Sequence, residues 1–170
     1  MARRGNFNMS STMTGTNGKT VSSSRVTLHQ LMMPESANAL GNVHGGTIMK
    51  LVDEAGAICA MRHAQRPCVT IAIDSMTFRQ PVHVGDLVIC DARVSYVGRT
   101  SIEVSVQVHA ENVISGKTTH TNSAFIVYVA LGEDGRPTDV PRLELANDEE
   151  RRLFADGAER QRQRLSRRGA

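Results

Sequence analysis

The most informative segment of this chain is Asn38-Ala-Leu-Gly-Asn-Val-His-Gly-Gly-Thr-Ile-Met-Lys-Leu-Val-Asp53. It begins in a loop that carries an amide side chain, passes through a pair of glycines and enters a helix that carries a carboxylate. An amide can orient a water molecule, exposed backbone N–H groups can hold an oxyanion, and a carboxylate can accept a proton. The segment therefore has the layout of an acyl-transfer site.

Asp53 is an acidic residue of the predicted helix for which the neighbouring residues in the sequence offer no ion-pair role. Apolar side chains at three- and four-residue spacing predict a helix over residues 46–64. Glu54 lies four residues after Lys50 and pairs with it on the solvated side. The helical wheel around Asp53 is formed by Met49, Gly56, Ala57 and Ala60. Such small residues indicate that a ligand or another backbone approaches Asp53; the alternative is an ordinary solvated aspartate near a helix N-terminus.

The loop before the helix supplies further candidates. Gly45 and Gly46 leave the unpaired N–H groups of the first helical turn open to an anion, or they serve only as a flexible entry to the helix. Asn38 is a candidate for orienting a water, and its alternative role is to stabilise its own turn. His44 is a candidate base, although a histidine beside two glycines is more often a packing or capping residue. We therefore rank Asp53 ahead of His44.

Composition narrows the class of protein. The chain has 170 residues, 40% of them hydrophobic, which is enough to bury the core of one compact domain. Aromatic residues make up only 4%, without tryptophan, so a base-stacking nucleic-acid platform is not expected. No apolar run is long enough to span a membrane, and residues 1–8 lack the apolar region of a signal peptide. The three cysteines form no C-x-x-C pair, so we expect reduced thiols in the cytoplasm and no metal site.

The positive charge lies at the two ends of the chain. Residues 1–24 carry three basic residues and no acid, residues 25–146 carry ten against twelve, and residues 147–170 carry seven against five. The pI of about 9.0 therefore reflects two basic ends around a slightly acidic centre. This distribution does not favour a nucleic-acid binder.

Pattern divides the chain into three parts. Residues 1–24 are rich in Ser, Thr, Gly and Asn and are predicted to be a disordered tail. Residues 25–146 form the predicted domain, and residues 147–170 form an arginine-rich helix capped by Asn147.

The predicted strands are Arg25–Met32, Val69–Gln80, Asp86–Val97, Ser101–Ala110 and Lys117–Leu131. A change of apolar phase inside the second strand predicts a β-bulge or a strong bend. One helix followed by four long strands indicates an α+β layer, the order also found in the hotdog fold, in which a sheet wraps a helix.

Three motifs carry a resemblance to a known family. They are Asn38 with Gly41–Gly46 and Asp53, Asp74–Phe78 with Pro81 and Val84–Asp86, and Val97–Ser101. With these motifs the chain resembles the hotdog-fold acyl-CoA thioesterases over residues 26–141. The similar branch contains bacterial short- and medium-chain acyl-CoA hydrolases and the animal cytosolic acyl-CoA hydrolases.

The resemblance implies a role for each motif residue. Asp53 is then the general base or nucleophile, and Asn38 completes the site from the other subunit of a homodimer. The N–H groups of Gly46 and Thr47 then polarise the thioester carbonyl. The residues implied to bind substrate or line the CoA groove are His44, Gly45, Gly98, Arg99, Thr100 and Ser101.

The resemblance also implies a substrate and an assembly. The substrate is acyl-CoA, no cofactor is expected because coenzyme A is part of the substrate, and dimers are expected to assemble into a hexamer. The arginines of residues 151–168 could lie at an interface, contact CoA phosphates or remain solvated.

Three other functions compete with hydrolysis. A hotdog dehydratase or hydratase would use a histidine as its main base, and the Pro-rich loop expected around it is absent from the sequence. A non-catalytic acyl-CoA sensor coupled to DNA binding would need a helix-turn-helix before residue 25, which the Ser/Thr/Gly-rich segment does not provide. A structural module would leave the small residues around Asp53 unexplained.

Overall fold

The computed structural model describes residues 18–168, and this part of the chain contains seven strands and three α-helices. The strands are β1 (Lys19–Thr20), β2 (Val26–Leu31), β3 (Cys68–Phe78), β4 (Asp86–Val97), β5 (Ser101–Asn112), β6 (Lys117–Ala130) and β7 (Leu143–Glu144). The helices are α1 (Val21–Ser24), α2 (Gly45–Ala64) and α3 (Asp148–Arg168). Among the described helices, none combines the length and apolar character that crossing a membrane requires.

One antiparallel sheet carries the domain. Its strand order is β2-β4-β5-β6-β3, and α2 contacts all five strands. The core between helix and sheet is apolar and includes Ile48, Val52, Ala55, Cys59, Val88, Val104, Val106, Ala124 and Ile126. The predicted α+β layer with a long central helix is therefore confirmed.

The ends of α2 follow from its sequence. His44 lies at the N-cap in an extended conformation and accepts a hydrogen bond from the Gly46 N–H. Gln65 ends the helix in the left-handed region, at a φ of 52°, and its N–H donates to the Met61 carbonyl. The helix predicted over residues 46–64 is confirmed, with one further residue at its start.

Strand β3 is an edge strand with two irregularities. Its register against β6 shifts between Thr70 and Ala72 and again between Ile73 and Ser75, which confirms the predicted bulge. Its other edge has no partner strand within residues 18–168, so backbone N–H and C=O groups are open along it. Several of its apolar side chains are also exposed. Val69, Ile71 and Ile73 are 44%, 41% and 42% exposed.

Helix α3 is held to the outer face of the sheet by a buried carboxylate. Glu103 on β5 is 1% exposed and binds Arg160 at 2.7 Å and Arg164 at 3.0 Å. The Ser95 hydroxyl donates to the same carboxylate at 2.8 Å, and Arg164 also pairs with Asp74 on β3. Arg160 and Arg164 therefore bind within their own subunit rather than remaining solvated, and the alternatives of a subunit interface or a CoA contact stay predictions.

The predicted disordered tail extends too far into the folded part. Lys19 and Thr20 pair in parallel with Leu143 and Glu144, and the next residues form α1 with Val21 buried. The sequence of this segment is polar, but pairing with a distant strand gives it an ordered position. Disorder over residues 1–24 is therefore wrong for residues 18–24, and the rest of that prediction lies outside the described residues.

Candidate active site

Asp53 is partly exposed, and two side chains hold one oxygen of its carboxylate. The Thr70 hydroxyl donates to Asp53 Oδ1 at 2.8 Å, and the Tyr128 hydroxyl donates to the same oxygen at 3.3 Å. Oδ2 receives no hydrogen bond from any residue in the described part of the chain. Lys50, three residues before Asp53, pairs with Glu54 at 3.6 Å, as predicted. The interpretation of Asp53 as an ordinary solvated aspartate is therefore wrong.

The small residues beside Asp53 make room for Tyr128. This side chain is fully buried, and its hydroxyl also donates to the Asp53 carbonyl at 3.0 Å. A Cβ at Gly56 would lie only 2.3 Å from the Tyr128 hydroxyl oxygen, so glycine is required for this approach. Burial, reinforced by the nearby Asp53 carboxylate, raises the pKa of Tyr128 well above its usual value. The phenol is therefore a permanent donor.

The N-terminus of α2 is partly occupied by its own cap. The Gly46 N–H donates to His44 Nδ1 at 2.9 Å, and the Thr47 N–H donates to the His44 carbonyl at 2.9 Å. His44 is thus a capping residue, the alternative weighed from sequence. The Gly45 N–H makes no hydrogen bond within residues 18–168. The N–H groups of Gly46 and Thr47, predicted to polarise a carbonyl, are both engaged in this state, whereas that of Gly45, which the sequence placed with Gly46 at an anion-binding helix start, is open.

Asn38 stabilises its own loop. Its Oδ1 accepts hydrogen bonds from the Leu40 N–H at 2.8 Å and the Asn42 N–H at 3.3 Å. This geometry confirms the turn role, and it leaves the amide Nδ2 as a donor. Within one subunit, no hydrogen bond among the described residues joins Asn38 to Asp53.

A cavity of about 340 Å³ lies beside Asn38 and the start of α2. Gly45, Phe78 and Arg79 also line it. The Phe78 ring lies 3.5 Å from the position of a Cβ at Gly45, so the glycine allows this close packing. Arg79 is exposed and was not predicted as a site residue, because a single basic residue at the end of a strand carries no distinctive pattern.

The hairpin predicted to line the CoA groove lies between β4 and β5. The Gly98 N–H donates to the Ser101 carbonyl at 2.8 Å, and the Thr100 carbonyl accepts from the Ala130 N–H at 3.1 Å. Arg99 pairs with Asp139 at 3.2 Å, with both side chains more than 70% exposed. In the described part of the subunit, no hydrogen bond joins this hairpin to Asp53 or to the start of α2. Its contact with CoA therefore stays a prediction.

The cysteines are poor candidates for nucleophiles. Burial raises the pKa of the Cys59 and Cys90 thiols to about 12 and that of Cys68 to about 11. No group of three or more His, Cys, Asp or Glu side chains within residues 18–168 is placed to hold a metal ion. Asp53, with an open carboxylate oxygen, is the group best placed for proton transfer.

The comparisons with known proteins agree on one family. The sequence profile of the thioesterase superfamily matches residues 40–117. An acyl-CoA thioester hydrolase of Haemophilus influenzae, itself uncharacterized, is 38% identical over 79% of this chain and 88% of its own. The cytosolic acyl coenzyme A thioester hydrolase of Homo sapiens is 35% identical over 81% of this chain, which spans only 37% of that protein.

Solved structures are similar over nearly the whole chain. The apo form of a hexameric acyl-CoA thioesterase has a TM-score of 0.85 and 37% identity, and the match covers 89% of this chain and 97% of that one. The acyl-CoA hydrolase of Staphylococcus aureus, in complex with butyryl coenzyme A, has a TM-score of 0.81 and 33% identity and covers 88% and 92%. These likenesses confirm the hotdog fold.

The Staphylococcus aureus enzyme also has three polar residues with the same sequence separation as three residues of this chain. It has been solved with an aspartate, an asparagine and a threonine each changed to alanine. In that enzyme the asparagine precedes the aspartate by 15 residues and the threonine follows it by 17, and Asn38, Asp53 and Thr70 have the same separations. Sequence reasoning missed Thr70, because a threonine inside a strand pattern is indistinguishable from an ordinary strand residue.

Proposed function

The chain belongs to the thioesterase superfamily, among its acyl-CoA thioester hydrolases, and we propose that it hydrolyses fatty acyl-CoA to the free acid and CoA through Asp53. The observation that carries this proposal is that the Asp53 carboxylate is hydrogen-bonded at one of its two oxygens. Thr70 and Tyr128 bind Oδ1, while Oδ2 is left for the reaction. A thioester carbonyl is activated enough for one positioned carboxylate and a water to suffice.

In the proposed reaction Asp53 acts as a general base. Oδ2 takes a proton from a water, and the water oxygen bonds to the thioester carbon. The carbon–sulfur bond then breaks, and the proton held on Oδ2 passes to the departing sulfur, so that CoA leaves as a thiol and the Asp53 carboxylate is regenerated. Thr70 donates its own proton to Oδ1, so its oxygen can accept the second hydrogen of the same water. General-base catalysis of this kind contributes about 10²–10⁴-fold. A nucleophilic role would use the same oxygen and form a mixed anhydride.

The carbonyl oxygen is proposed to bind at the start of α2. The Gly45 N–H is open, while the Gly46 N–H beside it is held by His44 Nδ1. The Thr47 N–H adds to the positive end of the helix dipole. Each oxyanion donor is worth about 10²–10³-fold in rate.

The site is proposed to form between two subunits. Seven residues separate Gly46 from Asp53 along α2, a rise of about 10 Å, which is too far for both to act on one carbonyl. The partner's α2 start, with its Asn38, would instead approach Asp53. The open edge of β3 supports this arrangement, because exposed Ile71 and its apolar neighbours need a cover. Hexameric relatives further support a trimer of such dimers, and we propose a cytoplasmic location.

The dehydratase alternative is weakened by the ring of His44. Because Nδ1 accepts the Gly46 N–H, the neutral ring carries its proton on Nε2. It therefore presents a donor to its surroundings rather than a base. A sensor would bind CoA thioesters without hydrolysing them, and the following experiment would then show no release of free thiol.

The test is free-thiol release from acyl-CoA substrates of increasing chain length. Wild type is compared with Asp53→Ala and with Glu54→Ala, a neighbouring exposed acid that pairs with Lys50. We expect turnover to fall by about 10²–10⁴-fold in Asp53→Ala and to persist in Glu54→Ala. Equal turnover in both variants would retain the reaction and reject Asp53 as its base. Absence of turnover in wild type would favour the dehydratase or the sensor.

A further inference from the structure

Tyr128 stands out because its hydroxyl is placed in an otherwise apolar core. It lies on β6, on the face of the sheet that α2 covers, with Ala124 and Ile126 on the same face. Phenylalanine would fill nearly the same space without needing a hydrogen-bond partner, whereas a buried tyrosine must find one. Its two acceptors are both atoms of Asp53, the carbonyl oxygen at 3.0 Å and Oδ1 at 3.3 Å.

The contact is built into two elements. Gly56 lies three residues after Asp53 on α2, and any side chain there would occupy the space of the Tyr128 hydroxyl. The helix therefore lacks a better helix former, such as alanine, at this position. Because Gly56 has no side chain, the Tyr128 hydroxyl can reach both the backbone carbonyl and the side chain of Asp53.

The two donors on Oδ1 come from different directions. Thr70 belongs to the edge strand β3, and Tyr128 belongs to the neighbouring strand β6. The Tyr128 hydroxyl has one proton, which it shares between the Asp53 carbonyl at 3.0 Å and Oδ1 at 3.3 Å. Together with the Thr70 bond, this three-centre contact restricts rotation of the Asp53 side chain and holds the helix against the sheet at the same residue. The orientation of Oδ2 is then set by the fold rather than by the substrate.

We propose that Tyr128 is a positioning residue that locks Asp53 with Oδ1 turned into the core and Oδ2 turned toward the substrate. This inference rests on the proposed function, in which Asp53 acts on the thioester. Tyr128 is fully buried, and its hydroxyl contacts Asp53. It acts through Asp53, so its loss slows the chemical step and leaves substrate binding intact.

The test is Tyr128→Phe, with Tyr96→Phe as the matched control. Tyr96 is a partly exposed tyrosine of β4 that stacks on Phe154, at a centroid distance of 4.9 Å, on the outer side of the sheet. Butyryl-CoA and octanoyl-CoA serve as substrates, and thiol release gives kcat and KM. We expect kcat to fall about 10- to 100-fold in Tyr128→Phe, as for a small misplacement of a catalytic group, with KM changed less than about three-fold.

Two further measurements separate positioning from simple loss of structure. Thermal unfolding shows whether the variant is folded at the assay temperature, and calorimetric titration with free CoA shows whether the binding surface is intact. If Tyr128→Phe is too unstable to assay, the double variant Gly56→Ala/Tyr128→Phe fills the space of the missing oxygen with a methyl group and is expected to lower kcat in the same way.

The outcomes are distinguishable from failure of the proposed function. Loss of activity in Asp53→Ala together with unchanged kcat in folded Tyr128→Phe would overturn the positioning role and leave Asp53 as the base. A rise in KM with unchanged kcat would also overturn it, since it would indicate a binding role. Full activity in Asp53→Ala would reject the base itself, and the inference with it.

Discussion

Replacing Glu103 by glutamine tests how α3 is held to the sheet. The substitution keeps the shape of the side chain and an oxygen that can accept from Ser95 Oγ, but it removes the negative charge. Arg160 then loses its carboxylate partner at 2.7 Å, while Arg164 keeps its pairing with Asp74. Arg160 also lies 3.8 Å above the Phe125 ring, and that contact remains.

The size of the effect follows from burial. Removing one partner of a buried ion pair costs about 3–5 kcal/mol, because a buried charge is left uncompensated. The Arg160 and Arg164 side chains are 23% and 14% exposed, so water screens part of this cost. We therefore expect Glu103→Gln to lower the free energy of unfolding by about 2–3 kcal/mol. For a chain of this size that corresponds to a melting temperature lower by about 4–12 °C.

The assay is thermal unfolding at a fixed protomer concentration, because subunit association adds to apparent stability. The control is Glu159→Gln, an exposed acid of the same helix that pairs with Arg162. Exposed ion pairs contribute little, so this control is expected to melt close to wild type. A melting temperature for Glu103→Gln within error of the Glu159→Gln value would refute the view that the buried carboxylate fixes α3.

Two further predictions concern pH and assembly. His63 is fully buried and donates from Nε2 to the Pro141 carbonyl at 3.0 Å, and its Nδ1 has no partner among residues 18–168. Burial lowers its pKa below the usual 6.5. Below about pH 6.5 the unfolded chain binds a proton that the folded chain excludes. Denaturant titrations should therefore show that the free energy of unfolding decreases as the pH is lowered below about 6.5, by at most about 1.4 kcal/mol per pH unit. His63→Asn should flatten this dependence and exposed His29→Asn should not. Ile71→Lys on the β3 edge is expected to give monomers by light scattering and to lose turnover in parallel, and full turnover from a monomer would contradict a site shared between subunits.

The sequence was most informative where one pattern had one physical cause. The spacing of apolar residues in α2 and the alternation in β5 predicted these elements because burial on one face determines both patterns. The phase change in β3 predicted its bulge for the same reason. Polar segments were harder to interpret. The residues of β1 and α1 have the composition of a tail, and only their pairing with Leu143–Glu144 gives them a place in the fold.

The candidate site was predicted in part. Asp53 was singled out by its small neighbours, and the structure shows that Gly56 admits the Tyr128 hydroxyl. Neither Thr70 nor Tyr128 could be predicted, because both are typical strand residues and their bonds to Asp53 arise from packing between distant segments. The occupation of the Gly46 N–H by His44 also depends on a side-chain conformation that spacing does not specify.

The close approach of Gly56 and Tyr128 joins two positions that lie 72 residues apart in the chain. A related chain that keeps tyrosine at the second position must keep glycine at the first, since even one methyl group would collide with the phenol oxygen. A chain with a larger residue at the helix position must lack the hydroxyl at the strand position, as phenylalanine does. The two positions should therefore covary as a pair, and lineages in which both have changed would be those whose aspartate is oriented by the threonine alone.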